Sequence, residues 1–294
     1  MSAVNGDWET QLAAFGLAQG RANRTVRTDL FTSRYFLAWA ERQPLDWEQA
    51  TERDLIEFFQ WCRGRMGQSA MIRRFASVKF LYSWLASTGF RVDNPCSELK
   101  FRLPNRTPKP PYSMDDLRAL VDATETVRDR AMVLMLIGSG CRLGEMAGML
   151  WDDVDWERAA VMVRGKAHRG RWVAPGRVTM KALVALHDEA ERAAGPLWVS
   201  LAGKTPGEPL TDQGIYLCIR RIASRAGITR AFPRRFRTTM ACDYEEESGG
   251  DILSLMKILG HAKIQTSQVY AEWNAAERAL RRQAQYSLAD RLAG

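Results

Sequence analysis

The stretch from residue 232 to residue 270 begins FPRRFRTTMA and ends LMKILGHAKIQTSQVY. Arg234 and Arg237 stand three residues apart in its first part, and His261 follows a Leu-Gly pair in its second part. Tyr270 comes nine residues after the histidine. Guanidinium groups bind phosphate oxygens, and a tyrosine hydroxyl can act as a nucleophile. The stretch therefore predicts a phosphate clamp beside a nucleophile.

A second arginine for the clamp lies upstream, in GSGCRLGEMAGMLWDDVD at 138–155. Phosphoryl transfer requires the charge on the non-bridging oxygens to be neutralised as phosphorus becomes five-coordinate. Arg142, in a glycine-containing turn between helices, is expected to share this role with Arg237. Taken alone, Arg142 is better explained as a surface residue that caps a helix, and the downstream motif favours the clamp.

The sequence VRGKAHRGRWVAP at 163–175 predicts a β-hairpin whose glycines allow a tight loop. Lys166 lies in this loop and is the candidate general acid. A solvated turn lysine is the alternative, and the neighbouring basic residues are candidate DNA contacts: Arg164, Arg169 and Arg171.

The Leu-Gly-His tripeptide, followed by Thr266 and Tyr270, resembles the C-terminal signature of the tyrosine recombinases, the phage integrase family. The specific motifs of this resemblance lie within 138–171 and 233–270. It implies that Tyr270 attacks phosphorus to give a 3′-phosphotyrosine and a free 5′-hydroxyl, with no metal and no cofactor. It also implies that Lys166 protonates the departing oxygen and that the remaining catalytic residues are Arg142, Arg234, Arg237 and His261.

One position departs from the family pattern. Recombinases usually have histidine, and related topoisomerases lysine, where this chain has Arg234. Arginine binds phosphate but hardly releases a proton. If this position ordinarily helps to accept the proton of the tyrosine, that proton must go to His261, to water or to DNA. Otherwise the enzyme cleaves more slowly than recombinases that have the usual histidine. Placing Arg235 in the site instead would break the three-residue spacing to Arg237.

Composition agrees with a polyanionic partner. The 294 residues carry a net charge of +8 and a pI of about 9.4. The five cysteines are isolated, which predicts neither a zinc site nor disulfides and suits a reducing cytosol. No window reaches the ~18 apolar residues of a membrane span, and no signal peptide is recognisable. We expect a cytoplasmic, nucleoid-associated protein with no membrane partner.

The stretch PNRTPKPP at 104–111 predicts an extended connector between two domains. We expect an N-terminal helical domain at 1–103, a linker at 104–112 and a catalytic domain at 113–294. The fold class is mainly α, with one small antiparallel sheet in the catalytic domain. The first domain resembles the helical (SAM-like) core-DNA-binding domain of the recombinases, and its candidate DNA contacts are Arg24, Arg27, Arg73, Arg74 and Lys79.

Helical periodicity after Tyr270 predicts a tail helix at 273–292. Such a tail packs on its own domain or, as the resemblance implies, docks in a neighbouring protomer. The chain resembles the simple recombinases that lack an arm-binding domain.

The predicted function is site-specific DNA recombination through a Holliday junction. The expected partners are duplex DNA with inverted-repeat core sites and, in the synaptic complex, a homotetramer formed from free monomers. Two alternatives stay open: a relaxing enzyme similar to type IB topoisomerases, and a catalytically inactive DNA-binding protein of the same fold.

Overall fold

The computed structural model describes residues 7–100, 110–165, 170–190, 194–202, 205–229, 231–285 and 287–293. The chain divides into two compact units, Met1–Arg106 and Thr107–Gly294. The division falls inside the proline-containing stretch at 104–111. None of the helices in the described ranges has the length and apolar character needed to cross a membrane.

The first unit consists of the helices α1 (Trp8–Ala18), α2 (Asn23–Arg42), α3 (Glu52–Arg63) and α4 (Gln68–Ser87). Helix α3 begins where Thr51 and Asp54 form a capping box, each side chain accepting a hydrogen bond from the other residue's backbone N–H. Phe58 of α3 is fully buried, and its ring lies 5.0 Å from that of Phe36 in α2. An aromatic core therefore holds these helices together.

The sequence does not single out helix α1, because its apolar residues do not form one stripe. Leu12 is fully buried in this helix, whereas Leu17 is half exposed. The helix is positioned by close packing at Gly16, where an added Cβ would lie 3.0 Å from Val26 of α2. Tertiary contact, rather than an amphipathic pattern, thus fixes α1.

The second unit is mostly helical around a small sheet. Its elements are α5 (Met114–Asp122), α6 (Val127–Ser139), α7 (Leu143–Ala147), a 3-10 turn (Trp151–Asp153), β1 (Val154–Asp155), β2 (Ala160–Arg164), β3 (Gly170–Val173), α8 (Arg177–Ala190), α9 (Asp212–Arg225), α10 (Pro233–Glu247), α11 (Ile252–Leu259), α12 (Gln265–Gln285) and α13 (Leu288–Ala293). The strands pair antiparallel in the order β1-β2-β3. The predicted fold class, mainly α with one small antiparallel sheet, is confirmed.

Helix α6 runs through the core of this unit and leads to the site. Most of its side chains are buried, and it packs against α8 and α10. Gly138 permits a close approach, since an added Cβ would lie 2.1 Å from the carbonyl oxygen of Pro175. The helix ends at Gly140, whose φ of 55° is left-handed, and the chain then turns into Arg142.

The tail differs from the predicted helix at 273–292. Helix α12 begins at Gln265, contains Tyr270 and ends at Gln285, and α13 follows separately. The helix that carries the tyrosine runs on into the tail because no glycine or proline lies between them. The second helix is separate because the Ser287 hydroxyl accepts a hydrogen bond from the Asp290 backbone N–H, as a helix cap does.

Helix α12 packs on α10 of its own unit. The Asn274 amide donates to the Cys242 carbonyl at 2.7 Å and to the Glu245 carboxylate. Arg278 lies 3.5 Å from the same buried carboxylate. These contacts hold α12, as far as Arg278, against α10 of its own unit.

Candidate active site

Three arginines converge on the C-terminal turn of helix α11. The helix ends because Gly260 adopts a left-handed φ of 64°. The last carbonyls of a helix lack partners within it and carry partial negative charge, so they attract cations. The Leu259 carbonyl accepts from Arg237 Nη2 at 2.6 Å and lies 3.5 Å from Arg142 Nη1, and the preceding carbonyl, of Ile258, accepts from Arg171 Nε at 2.5 Å.

Arg237 is the most enclosed of the three. It extends from α10, which begins with Pro233 at its first position, and its side chain is buried. Besides Leu259, it donates to the Gly140 carbonyl at 3.0 Å and contacts His261 Nε2 at 2.8 Å. Burial, and then the positive charge of Arg142, lower its pKa to about 10. The guanidinium is thus fixed in place and still charged at neutral pH.

The Arg142 guanidinium is accessible to solvent and pairs with the buried carboxylate of Glu145. Its Nη1 lies 2.6 Å from Glu145 Oε1, and its backbone N–H donates to Oε2 at 2.8 Å. The Arg142 side chain is 48% exposed, whereas that of Glu145 is 5% exposed. The guanidinium therefore remains open to an anion from solvent.

Glu145 bridges two of the arginines. Its carboxylate also accepts two hydrogen bonds from Arg171, at 3.2 and 3.0 Å. Burial raises the pKa of this carboxyl, but the hydrogen bonds from Arg171 and from the Arg142 backbone outweigh burial, so the pKa lies below its ordinary value. Glu145 is therefore ionised at neutral pH.

His261 is held as a neutral imidazole with a defined tautomer. Its Nε2 faces Arg237, which has only donors, so this nitrogen accepts. The proton then lies on Nδ1, which contacts the Ser267 hydroxyl at 2.8 Å. Burial and the charges of Arg237 and Arg142 lower the histidine pKa to about 4.

Tyr270 lies beside the histidine, on helix α12. The two rings are nearly parallel, at 13°, with their centroids 6.4 Å apart. The tyrosine is partly exposed and packs against a small cluster that contains Leu255 and Leu259 of α11. The structure therefore brings together four of the predicted site residues: Arg142, Arg237, His261 and Tyr270.

Arg234 and Arg235 point to different surroundings. Arg234 is exposed, one turn before Arg237 on α10. The Arg235 guanidinium lies 4.0 Å from the centre of the Tyr112 ring and donates to the Pro110 carbonyl at 2.9 Å. Arg235 thus ties α10 to the first described residues of the second unit.

The hairpin residues are only partly described. Lys166 and Arg169 lie outside the described residues. Arg164 forms an ion pair with the buried Asp153. Arg171 points inward, to Glu145 and the end of α11.

The basic candidates of the first unit have unequal exposure. Arg24, Arg27 and Arg73 are exposed. Arg74 lies over the Tyr35 ring, 3.7 Å from its centre, and Lys79 donates to a backbone carbonyl at 3.2 Å. Arg74 is therefore also part of the packing of its own unit.

The centre of the site suits an anion. Three guanidinium groups meet here, and one carboxylate, that of Glu145, pairs with two of them within the part of the site that the structure describes. No group of His, Cys, Asp and Glu suited to a metal ion occurs among the described residues. The arrangement can bind a phosphate diester and place it beside Tyr270.

Two contributors to the site escaped the sequence reasoning. Ser267 is fully buried and contacts Nδ1 of the histidine, although a serine in a helix carries no sign of such a contact. Arg171 was expected to contact DNA, because nothing distinguishes it from the other arginines of the hairpin. Outward-facing and inward-facing residues alternate along β3, and Arg171 is at an inward-facing position. This alternation is the only signal in the sequence for its inward orientation.

Comparison with known proteins points to one family. Residues 113–277 match the model of the phage integrase family. The chain is 30% identical to "Tyrosine recombinase XerC" of Xylella fastidiosa (strain M23) over 243 residues, which cover 80% of this chain and 81% of the relative. It is also 30% identical to the protein of the same name from Listeria monocytogenes, with coverage of 82% and 83%.

Solved structures share the fold. A lambda integrase tetramer bound to a Holliday junction aligns with a TM-score of 0.69 and 15% identity, covering 89% of this chain and 78% of that one. XerH recombinase bound to its difH substrate before cleavage aligns with a TM-score of 0.64 and 18% identity, covering 89% and 80%. At these identities the likeness concerns the fold alone.

Proposed function

Because the chain belongs to the phage integrase family, we propose that it is a site-specific recombinase that cleaves and rejoins DNA through a covalent bond to Tyr270. The observation that carries the proposal is the placement of Tyr270 beside His261, Arg237 and Arg142. The tyrosine oxygen attacks the scissile phosphorus, and the bond to the 5′ oxygen breaks. The resulting 3′-phosphotyrosine conserves the diester for rejoining.

Arg142 and Arg237 bind the two non-bridging oxygens. A five-coordinate phosphorus carries more negative charge than the diester, so fixed guanidinium groups favour the transition state over the ground state. Arg237 is buried and hydrogen-bonded before DNA arrives, whereas Arg142 is accessible. The pair therefore combines a fixed donor with one that can meet the phosphate from the solvent side.

Arg234 hardly ever releases its own proton and cannot serve as a base. The Nε2 of His261 already accepts from Arg237, and a pKa of about 4 makes the imidazole a weak base, so the proton of the tyrosine passes to water or to the DNA. Arg234, exposed near the site, binds phosphate. Lys166, which lies between β2 and β3 in the sequence, donates a proton to the departing 5′ oxygen.

The larger assembly follows the relatives. The aligned lambda integrase structure is a tetramer on a Holliday junction, and we propose the same stoichiometry and strand exchange for this chain. The first unit, with exposed Arg24, Arg27 and Arg73, binds the duplex together with Arg164 and Arg169. The proposed DNA site carries inverted repeats, and the protein is a monomer when free.

The test uses a pool of random-sequence nicked duplexes incubated with the wild-type chain and with Tyr270→Phe. Detergent stops the reaction, and covalently attached DNA is sequenced. We expect adducts that depend on Tyr270 and share an inverted repeat. Adducts of random sequence would support a topoisomerase-like enzyme, and duplex binding without adducts would support an inactive DNA-binding protein.

A further inference from the structure

Arg171 joins three parts of the site in one side chain. It extends from strand β3, its Nε donates to the Ile258 carbonyl, and its two Nη atoms donate to the two oxygens of Glu145. Its side chain is only 13% exposed. All these partners belong to the protein, and none of them is a residue expected to touch DNA.

The contacts of Arg171 determine where the catalytic groups stand. Arg171 donates two parallel hydrogen bonds to Glu145. Glu145 in turn accepts from both the guanidinium and the backbone N–H of Arg142. Ile258 precedes the turn that carries His261. A displacement of Arg171 would therefore move Arg142 and His261 together.

Gly260 shows how tightly this side chain is packed. A Cβ at residue 260 would lie 2.9 Å from Arg171 Nη1 and 3.2 Å from both its Cδ and its Cζ. The guanidinium thus lies directly against the backbone of the Leu-Gly-His turn. The glycine is required here both for its left-handed φ and for the space that Arg171 occupies.

We propose that Arg171 is a positioning residue that locks Glu145 to the end of helix α11 and so sets the distance between Arg142 and His261. The inference rests on the proposed function, because it assigns Arg171 to the support of that reaction rather than to DNA binding. Lysine cannot replace it, since an ammonium group cannot form the planar fork that engages both carboxylate oxygens while also reaching Ile258.

The first test separates positioning from DNA contact with Arg171→Lys. On a duplex selected by adduct formation, we expect single-turnover cleavage at saturating DNA to fall about tenfold or more, while Kd stays within about twofold of wild type. Wild-type cleavage by Arg171→Lys would overturn the proposal. So would an Arg171→Ala variant that loses affinity, with a salt slope reduced by about one, but cleaves normally when saturated.

The second test uses Gly260→Ala with a matched control. Gly249 has a similar left-handed φ, 67° against 64°, and an added Cβ there meets nothing within 4 Å. Both substitutions thus introduce the same backbone strain, but only Gly260→Ala displaces Arg171. We expect slow cleavage for Gly260→Ala and normal cleavage for Gly249→Ala. In an Arg171→Ala background, Gly260→Ala should reduce the cleavage rate little further. If the reductions caused by the two substitutions were fully additive in free energy, the proposal would be overturned.

A third readout needs no DNA. The ¹⁵N shifts of the His261 imidazole report which nitrogen carries the proton, and the chain has only three histidines, so His261→Gln assigns the signals. We expect the wild-type tautomer in Gly249→Ala and a mixture of tautomers in Arg171→Lys. An unchanged spectrum in Arg171→Lys would overturn the positioning role. If the wild-type chain forms no DNA adduct, the proposed function fails, yet this spectrum still decides the role of Arg171.

Discussion

Replacing Glu145 with glutamine removes the negative charge that joins two arginines. Its carboxylate accepts four hydrogen bonds, two from Arg171 and two from Arg142. Glutamine keeps the volume and one acceptor oxygen, but its amide N–H groups would face guanidinium donors. Breaking a buried ion pair costs about 3–5 kcal/mol. Arg142 is half exposed and its share is screened by solvent, so we expect a loss of about 2–4 kcal/mol in the free energy of unfolding.

The assay is urea unfolding of the full chain, with hydrogen exchange as the readout so that the second unit is measured separately. In a parallel thermal unfolding experiment, the melting temperature of that unit should fall by about 2–4 °C for each kcal/mol lost from the free energy of unfolding. Glu125→Gln is the matched control, because Glu125 lies 2.8 Å from Arg225 but is 65% exposed. We expect that control to lose less than about 1 kcal/mol. Equal losses in the two variants would refute the reasoning.

The dependence on pH gives a second check of the same variant. The folded pKa of Glu145 lies below its ordinary value of 4.5, so its ionised form stabilises the folded state. This contribution is complete above the ordinary pKa and is lost as the pH falls through the folded pKa. The difference in stability between the wild type and Glu145→Gln should therefore be largest near neutral pH and shrink below about pH 4.5. A difference that grows on acidification would contradict the assignment.

Three other outcomes are expected. Gly138→Ala should destabilise the second unit by about 1–3 kcal/mol in urea unfolding, because its Cβ would overlap a backbone oxygen, whereas Gly144→Ala, with open space around it, should be neutral or slightly stabilising. In NMR titrations without DNA, His261 should stay neutral between pH 5 and 8 and titrate near its pKa of about 4. A thiol reagent should modify Cys218 before Cys141, since Cys141 is buried and burial raises its pKa to about 11.

Each of these outcomes has a clear opposite. Equal stability of the two glycine variants would mean that the backbone near Gly138 yields to the added methyl group. A midpoint for His261 near 6.5, its unperturbed value, would show that neither burial nor the arginines act on the imidazole. Modification of Cys141 first would show that the turn before Arg142 opens readily.

Local patterns in the sequence predict much of this molecule. The capping residues Thr51 and Ser113 mark the starts of α3 and α5, because a cap depends only on its next three residues. The spacing of the histidine and the tyrosine within one stretch also places them near one another. The family and the fold class follow from such short-range signals, and both are confirmed.

The remaining features depend on contacts between distant residues. Arg171 reaches Ile258, 87 residues away in the chain, a contact that no local pattern reveals. Helix α1 is fixed by packing against α2 rather than by its own apolar stripe. The motif ends at Tyr270 and so predicts a tail helix that begins after it, whereas the helix begins at Gln265, contains the tyrosine and continues to Gln285.

Because helix α12 is continuous, Tyr270 and the residues that follow it to Gln285 move as one rigid segment. No glycine or proline interrupts the helix from Gln265 to Gln285, and about 22 Å of it follows the tyrosine. A tilt of about 10° around the tyrosine would move the far end by about 4 Å. Conversely, any force that pulls on that far end turns the Tyr270 ring, unless Asn274 keeps its hold on Cys242 and Glu245. The orientation of the tyrosine is therefore coupled to contacts at the far end of α12 only when Asn274 releases Cys242 and Glu245.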